Sequence, residues 1–170
     1  YEHIEVGHGL GLGAHRRYSA GFTDEILWKK LEPLTEKAKL YSFFIPYVGN
    51  EADIDIGVSH GLYGLRIGME PPFVLQYRHF LEYAKKKGLF VSLNLMKSYT
   101  VTPQGLAKTI ATVKDMVDVT YVVDSAGHLL PSEAMRYVHE IYDENGMIPL
   151  GYHGHNNLSL AVATALEMID

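Results

Sequence analysis

The segment LFVSLNLMKSYTVTPQGLAKTIATVKDMVDVTYVVDS, residues 89–125, contains a complete strand–helix–strand repeat. Apolar runs rich in β-forming residues at 89–96 and 119–125 predict two strands, and the stretch 103–117 between them predicts a helix. The apolar positions of that helix recur at helical spacing and are Leu106, Ile110 and Val113. Two strands joined by a helical crossover run parallel in one sheet, so the segment predicts a βαβ unit.

Residues at the ends of the predicted helices suit those positions. Thr102 can cap the helix that begins at Pro103, because its hydroxyl accepts a hydrogen bond from a free backbone N–H. Proline is well placed at the first helical position, where its missing N–H costs nothing. Gly88 and Gly146 each follow a helical pattern, and glycine commonly terminates helices.

The same unit repeats along the whole chain. Predicted strands lie at 3–9, 40–46, 63–69, 89–96, 119–125 and 148–154. Predicted helices lie near 24–38, 51–60, 73–87, 103–117, 131–145 and 157–169. This alternation predicts the α/β class with a parallel sheet, either an open doubly wound sheet or a (β/α)₈ barrel. The first normally carries a G-x-G-x-x-G loop that opens a helix, and the glycine-rich stretch at 9–13 precedes no clear helix.

If the fold is a barrel, the chain contains only part of it. A barrel has about eight βα units, and six are visible here. The chain begins at YEHIEVGHG, which is typical of a strand, and stops at ALEMID, which is typical of a helix. We therefore expect residues 1–170 to form a single partial TIM-barrel domain, about strands two to seven of the barrel, truncated at both ends.

Composition excludes several classes of protein. Of the 170 residues, 47% are apolar and 21% charged, as in ordinary globular domains. The net charge of −5 argues against nucleic acid or an anionic membrane as a partner. No signal peptide or membrane-spanning run is recognisable, and the chain has no cysteine and therefore no disulfide framework. These features favour a cytoplasmic location.

Polar residues concentrate where the predicted strands end, and ligands bind at the carboxyl ends of parallel strands in both architectures. These residues are Glu5, His8, Arg66, Asn94, Asp124, Ser125, His153, His155 and Asn156. Three of them could instead have a purely structural role. Glu5 could face solvent or pair with a lysine, Asp124 could cap a turn, and Arg66 could pair with a carboxylate. Three other histidines, His60, His79 and His139, fall in helical or turn regions and are expected at the surface.

His153 and His155 form the most specific of these patterns. Side chains two residues apart on a strand point to the same face, so the two imidazoles can bind one divalent metal ion. Gly154 between them leaves room, and a carboxylate from another strand would complete a three-residue face. A mixed nitrogen and oxygen shell suits Mn²⁺ or Mg²⁺ acting as a Lewis acid. Asn156 or Asn157 can cap the following helix.

Three motifs together resemble the 4-hydroxy-2-oxovalerate aldolases: HIEVGHGLGLG at 3–13, VVDSAGHLLPSE at 122–133 and GYHGHNNLSLAVA at 151–163. These enzymes belong to the metal-dependent HMG-CoA lyase-like superfamily of barrels, which includes the pyruvate carboxyltransferase domain. The H-x-H pair is common to the superfamily. The continuation NNLSL and the strand end DSAG are similar to the aldolase branch, whereas the acyl-CoA enzymes usually follow the pair with ND-x-G or DT-x-G.

The resemblance implies a role for several residues. His153 and His155 match metal ligands, and His153 is also expected to lie against the substrate. Ser125 matches a serine that contacts the 2-oxo acid. Glu5 and Asp124 match acidic positions that line the substrate pocket. The resemblance also implies a metal-binding aspartate, an arginine and a catalytic histidine before Tyr1. The catalytic base is therefore unassigned within residues 1–170, and we expect these residues alone to be inactive.

The resemblance implies retro-aldol cleavage of a 4-hydroxy-2-oxo acid to pyruvate and an aldehyde, with Mn²⁺ or another divalent ion as cofactor. It also suggests an acetaldehyde dehydrogenase subunit as a partner. Two alternatives stay open: an acyl-CoA-dependent Claisen synthase or lyase on the same scaffold, and a non-catalytic metal-binding or assembly barrel.

Overall fold

The computed structural model describes residues 1–18 and 21–169. Its six strands are β1 (His3–Glu5), β2 (Lys39–Phe44), β3 (Gly64–Met69), β4 (Phe90–Leu95), β5 (Val119–Asp124) and β6 (Leu150–Gly154). Its six α-helices are α1 (Asp24–Leu31), α2 (Glu51–Ser59), α3 (Val74–Lys86), α4 (Pro103–Ala111), α5 (Pro131–Asn145) and α6 (Ala161–Glu167). Strands and helices alternate throughout, as the βα repeat predicts.

The strands follow chain order in the sheet, from β1 to β6. β2 pairs in parallel with both β1 and β3, and β5 pairs in parallel with β6. Five successive residues of β4 are buried, a pattern typical of parallel strands that are covered on both faces. The predicted parallel α/β sheet is confirmed.

The described residues divide into two compact units. The first comprises Tyr1–Gly68 and Tyr77–Ser92, and the second comprises Met69–Gln76 and Leu93–Asp170. The fully buried side chains of the first unit include Trp28, Leu40, Phe44, Ile54, Leu65, Ile67 and Leu81. Those of the second include Leu93, Leu95, Leu106, Ile110, Val122, Ala134 and Ile141. Each unit therefore buries apolar side chains from both its strands and its helices.

Two predicted elements of the first unit are shorter in the structure. The strand predicted at 3–9 ends at Glu5, because Gly7 adopts a φ of +123° that leaves the extended conformation. The helix predicted at 24–38 ends at Leu31 and continues only as a 3₁₀ turn over Glu32–Leu34. Pro33 lies in that turn and has no N–H to continue an α-helical ladder.

Two helices of the second unit also differ from their predicted bounds. The helix predicted at 103–117 ends at Ala111 and is followed by a separate 3₁₀ turn at Lys114–Met116. The helix predicted at 157–169 begins only at Ala161, because Ser159 has a φ of +59° and its N–H donates to Asn156 O within a turn. None of the helices in residues 1–18 and 21–169 combines the length and the hydrophobicity that a membrane-spanning helix requires.

The predicted cap at Thr102 is confirmed and gives a first test of the fold. Its side-chain oxygen accepts a hydrogen bond from Gly105 N at 3.1 Å, and Pro103 is the first residue of α4. We expect Thr102→Ala to lower the free energy of unfolding by about 1 kcal/mol, because one N–H of the first helical turn loses its acceptor. Thr102→Ser is the matched control and should retain most of the stability in urea unfolding. An equal loss in both variants would contradict the capping role.

Candidate functional site

The two histidines of the H-x-H pair lie at the carboxyl end of β6 with their rings side by side. The ring centroids of His153 and His155 are 5.2 Å apart, and the ring planes are inclined by 26°. A Cβ placed on Gly154 would meet the Tyr152 ring at 2.6 Å, so Tyr152 occupies the opposite face of this strand. The prediction that the imidazoles share one face is confirmed, and their role as metal ligands stays a prediction.

Backbone pairing with β5 fixes the main-chain positions of these two residues. Val123 is the register partner of His153, and Asp124 is the partner of Gly154. Beyond the strand, His155 N donates to Asp124 O at 3.2 Å, which extends the pairing by one residue. His153 is half-buried and His155 is exposed. The histidine pair is therefore anchored to the end of β5 through the main chain.

The turn after β5 packs tightly against the segment that carries His155. Gly127 has a φ of +63°, and a Cβ built on it would lie 2.2 Å from His155 O. Only glycine satisfies both the left-handed backbone and the close approach. Asn157 Nδ2 donates to Ala126 O at 2.6 Å, and Asn156 Oδ1 accepts from Ala161 N at 3.0 Å, at the first residue of α6. Asn156 thus accepts from the first N–H of α6, but the predicted N-cap position is wrong, because the N-cap residue of α6 is Leu160.

Asp124 is buried with its carboxylate turned into the loop that follows β5. One oxygen accepts a hydrogen bond from Leu129 N at 2.9 Å, and the other lies 3.3 Å from His128 Nδ1. These contacts match the turn-capping alternative stated for this residue, and its contribution to substrate binding stays a prediction. His128 also contacts the Tyr99 ring edge-on, with ring centroids 4.5 Å apart.

Ser125 is half-buried and contacts the loop that follows β4. Its Oγ accepts a hydrogen bond from Lys97 N at 3.0 Å. The neighbouring Ser98 ties the same loop to β5, because its hydroxyl donates to Leu95 O at 2.7 Å and accepts from Val123 N at 3.0 Å. Two serine hydroxyls thus hold the loop after β4 against the carboxyl end of β5.

Glu5 lies in the first unit, where it forms a bidentate ion pair with Arg66. Nε of Arg66 is 2.5 Å from Oε2 and Nη2 is 2.9 Å from Oε1. The guanidinium also covers the ring of Phe43, with 4.5 Å from Cζ to the ring centroid. The predicted pairing of Arg66 with a carboxylate is confirmed. Glu5 therefore forms an ion pair, as the structural alternative predicted, but with an arginine and not a lysine. Its role in the substrate pocket stays a prediction.

Burial raises the pKa of Tyr152, and the nearby Asp124 carboxylate raises it further. Both effects act against the charged phenolate, so the hydroxyl of Tyr152 stays protonated at neutral pH. The tyrosine lies on the face of β6 opposite the histidine pair and so serves the packing of that strand.

The donor set around the histidine pair fits a divalent metal ion in part. Two imidazoles on one face, with rings 5.2 Å apart, can both direct a ring nitrogen to a common point. Among the described residues, no group of three or more His, Cys, Asp or Glu side chains is arranged to hold a metal ion. The described chain therefore supplies two candidate ligands, and the carboxylate that would complete a three-residue face is not among them.

Sequence reasoning did not single out three residues near the strand ends: His128, Lys97 and Glu70. Lys97 Nζ is 2.7 Å from Glu70 Oε1, and Lys97 follows β4 by two residues. Its position just beyond the end of a strand could have identified Lys97 as a candidate site residue from the sequence. His128 lies inside the quoted motif VVDSAGHLLPSE, but its contact with Asp124 depends on how the turn closes. The surface expectation holds for His79 and His139, which are exposed, whereas His60 is half-buried beside Glu32.

The comparisons with known proteins identify the family of this chain. A model of the HMGL-like family matches residues 50–169, which include β3 to β6 and the histidine pair. The chain belongs to the HMGL-like family. The matched range includes the H-x-H pair at the end of β6 and the sequence DSAG at the end of β5.

Curated relatives of this HMGL-like chain are named as lyases. An oxaloacetate decarboxylase from Mycobacterium tuberculosis is 35% identical over 99% of this chain and 50% of its own length. A 4-hydroxy-2-oxovalerate aldolase from Pelotomaculum thermopropionicum is 34% identical over 98% of this chain, and one from Streptomyces griseus is 31% identical over 96%. The chain spans about half the length of the curated relatives it matches.

Solved structures support the fold. The N-terminal domain of a candidate aldolase from Bacteroides vulgatus matches with a TM-score of 0.77 at 20% identity, over 99% of this chain and 57% of that one. The carboxyl transferase domain of Rhizobium etli pyruvate carboxylase matches with a TM-score of 0.72 at 16% identity, over 84% and 27% respectively. The expected α/β class of the TIM-barrel type is confirmed.

Proposed function

We propose that this HMGL-like protein is a divalent-metal-dependent lyase that cleaves 4-hydroxy-2-oxo acids to pyruvate and an aldehyde. The observation that carries the proposal is the pair of imidazoles, His153 and His155, that lie side by side on one face at the carboxyl end of β6. Its support from relatives is the aldolase name of several proteins between 31% and 34% identical.

His153 and His155 would hold the metal ion through one ring nitrogen each. A bound divalent ion supplies Lewis acidity, which stabilises negative charge that develops on the 2-oxo oxygen of the substrate. The β5–β6 pairing and the close packing of the Gly127 turn against His155 O fix the backbone that carries the two rings before any ligand arrives. Such preorganisation matters because ligand side chains that must reorient on binding lose affinity and catalytic geometry.

Ser125 would contact the substrate from the end of the neighbouring strand. In the reaction the C3–C4 bond breaks, the 4-hydroxyl proton passes to a base, and the electron pair moves to C3. Protonation at C3 then gives pyruvate. Ser125 can donate a hydrogen bond to a carboxylate or 2-oxo oxygen, which holds the acid in one orientation while that bond breaks. No residue of the described chain is assigned as the base.

A second candidate function is decarboxylation of oxaloacetate, favoured by the relative of that name at 35% identity. The two reactions share their chemistry. In both, a bond to C3 of a 2-oxo acid breaks, the electron pair stays on C3, and pyruvate forms after protonation. One site can therefore be suited to either leaving group, an aldehyde or carbon dioxide.

The test of the proposal is a comparison of substrates with the full-length protein and Mn²⁺. Pyruvate release is measured with 4-hydroxy-2-oxovalerate and with oxaloacetate, and a third arm supplies a 2-oxo acid with acetyl-CoA and measures free thiol. Protein-free Mn²⁺ is the control, since metal ions decarboxylate oxaloacetate in solution. We expect EDTA-sensitive pyruvate release from 4-hydroxy-2-oxovalerate. Release from oxaloacetate alone would replace the aldolase proposal by the decarboxylase, and thiol release alone would favour the Claisen enzymes.

The predicted partner is an extension of the same proposal. An aldolase that releases a volatile aldehyde gains from a neighbouring dehydrogenase that oxidises it. We propose an acetaldehyde dehydrogenase as that partner, and co-purification of the two activities from the native source tests it. Separate elution of both active enzymes would contradict it.

A further inference from the structure

Lys97 has a backbone conformation that long side chains rarely adopt. Its φ is +53° and its ψ is +44°, in the left-handed region. In the described chain, Lys97 and Ser159 are the residues other than glycine with positive φ. Such conformations persist where surrounding contacts hold them, and they are common at functional sites.

Contacts with Ser125, Thr100 and Glu70 help to hold Lys97 in this conformation. Its N–H donates to Ser125 Oγ at 3.0 Å. Its carbonyl oxygen accepts from Thr100 N at 2.9 Å and from Thr100 Oγ1 at 2.8 Å. Its ammonium pairs with Glu70 at 2.7 Å. The backbone on both sides of Cα and the end of the side chain are thus fixed together.

The hydrogen bond from Lys97 determines what the Ser125 hydroxyl can do. A serine hydroxyl accepts through its lone pairs and donates one hydrogen. Ser98 uses both capacities, because it accepts from Val123 N and donates to Leu95 O. Ser125 Oγ accepts from Lys97 N, and within the described residues it makes no second hydrogen bond. Its hydrogen is therefore available for an oxygen acceptor that comes from outside the chain.

We infer that Lys97 is a positioning residue that acts through Ser125. Its left-handed backbone directs N–H at Oγ and so presents the Ser125 hydroxyl as a donor to a carboxylate or keto oxygen of the substrate. This inference rests on the proposed function, because it takes the ligand to be a 2-oxo acid. In this inference the main chain of Lys97 positions the Ser125 hydroxyl, and Glu70 holds the Lys97 side chain.

A double-mutant cycle in the full-length protein tests the inference. Lys97→Gly retains the N–H and tolerates positive φ, whereas Lys97→Val disfavours it. We expect Lys97→Val to raise KM and the Kd of pyruvate about tenfold, with a smaller change in kcat, and Lys97→Gly to stay within about twofold. In the Ser125→Ala background the two Lys97 variants should have the same KM. Ser159→Val is the matched control for backbone strain, and its KM should equal that of the parent.

Amide hydrogen exchange gives a readout that does not depend on turnover. The Lys97 N–H should exchange about tenfold faster or more in Ser125→Ala, while the melting temperature changes little. Equal effects of Lys97→Val with and without Ser125, or unchanged exchange at Lys97, would overturn the inference while leaving the proposed function intact. A parent protein that neither binds pyruvate nor releases it would overturn both together.

Discussion

Replacing His153 or His155 by alanine is expected to reduce metal-dependent pyruvate release by about 100-fold or more. Each substitution removes one of the two imidazoles that lie side by side at the end of β6. The remaining ring binds the ion more weakly and leaves it less precisely placed, so charge that develops on the 2-oxo oxygen is less well stabilised. Both kcat/KM and the Mn²⁺ concentration needed for half-maximal activity should change.

The matched control for these variants is His139→Ala. His139 is exposed on α5 and takes no part in the proposed site. Its activity and metal requirement should equal those of the parent, which separates loss of a ligand from a general effect of removing imidazole. If His153→Ala and His155→Ala both keep activity within about threefold of the parent, the loss is under 1 kcal/mol of transition-state stabilisation and the metal role is wrong.

Gly127→Ala is expected to destabilise the protein by about 3 kcal/mol and to weaken metal binding with it. The φ of +63° is unfavourable for alanine, and the added Cβ would lie 2.2 Å from His155 O. Because that neighbour is main chain, the turn after β5 and the segment after β6 must separate. We expect both a lower melting temperature and a higher Kd for Mn²⁺.

The Gly88→Ala variant separates the effect of backbone strain from the effect of the steric clash with His155 O. Gly88 has a φ of +78°, close to that of Gly127, but a Cβ built there meets nothing within 4 Å. Its substitution should cost only about 1 kcal/mol and leave Mn²⁺ affinity unchanged. Equal losses of stability and of metal affinity at the two positions would contradict the account of Gly127 as a support for the histidine pair.

Most of the fold could be predicted because the hydrophobic pattern and the helix ends agree locally. Thr102 and Pro103 mark the start of α4, and Gly88 follows α3 with the positive φ expected of a terminator. The errors arose where a local conformation interrupts a continuing apolar pattern. Gly7 ends β1 early and Ser159 delays α6, and neither event alters the hydrophobic periodicity on which the prediction depends.

The sequence could predict only those features of the candidate site that depend on residues close together in the chain. The spacing of His153 and His155 on a strand determines that they share a face, and the rings do so. Contacts between different helices, strands and loops could not be predicted from residue spacing. The hydrogen bond from Lys97 to Ser125 joins residues 28 positions apart, and the approach of Gly127 to His155 depends on how two loops pack. Periodicity carries no information about either contact.

The measurement that tests the central claim most directly is pulsed EPR of Mn²⁺ bound to the full-length protein labelled with ¹⁵N-histidine. Coordination by His153 and His155 predicts nitrogen couplings from two imidazoles, which fall to one coupling in either alanine variant and persist unchanged in His139→Ala. Mn²⁺ bound without nitrogen coupling, or with the same spectrum in His153→Ala and His155→Ala as in the parent, would contradict a metal site built on this pair.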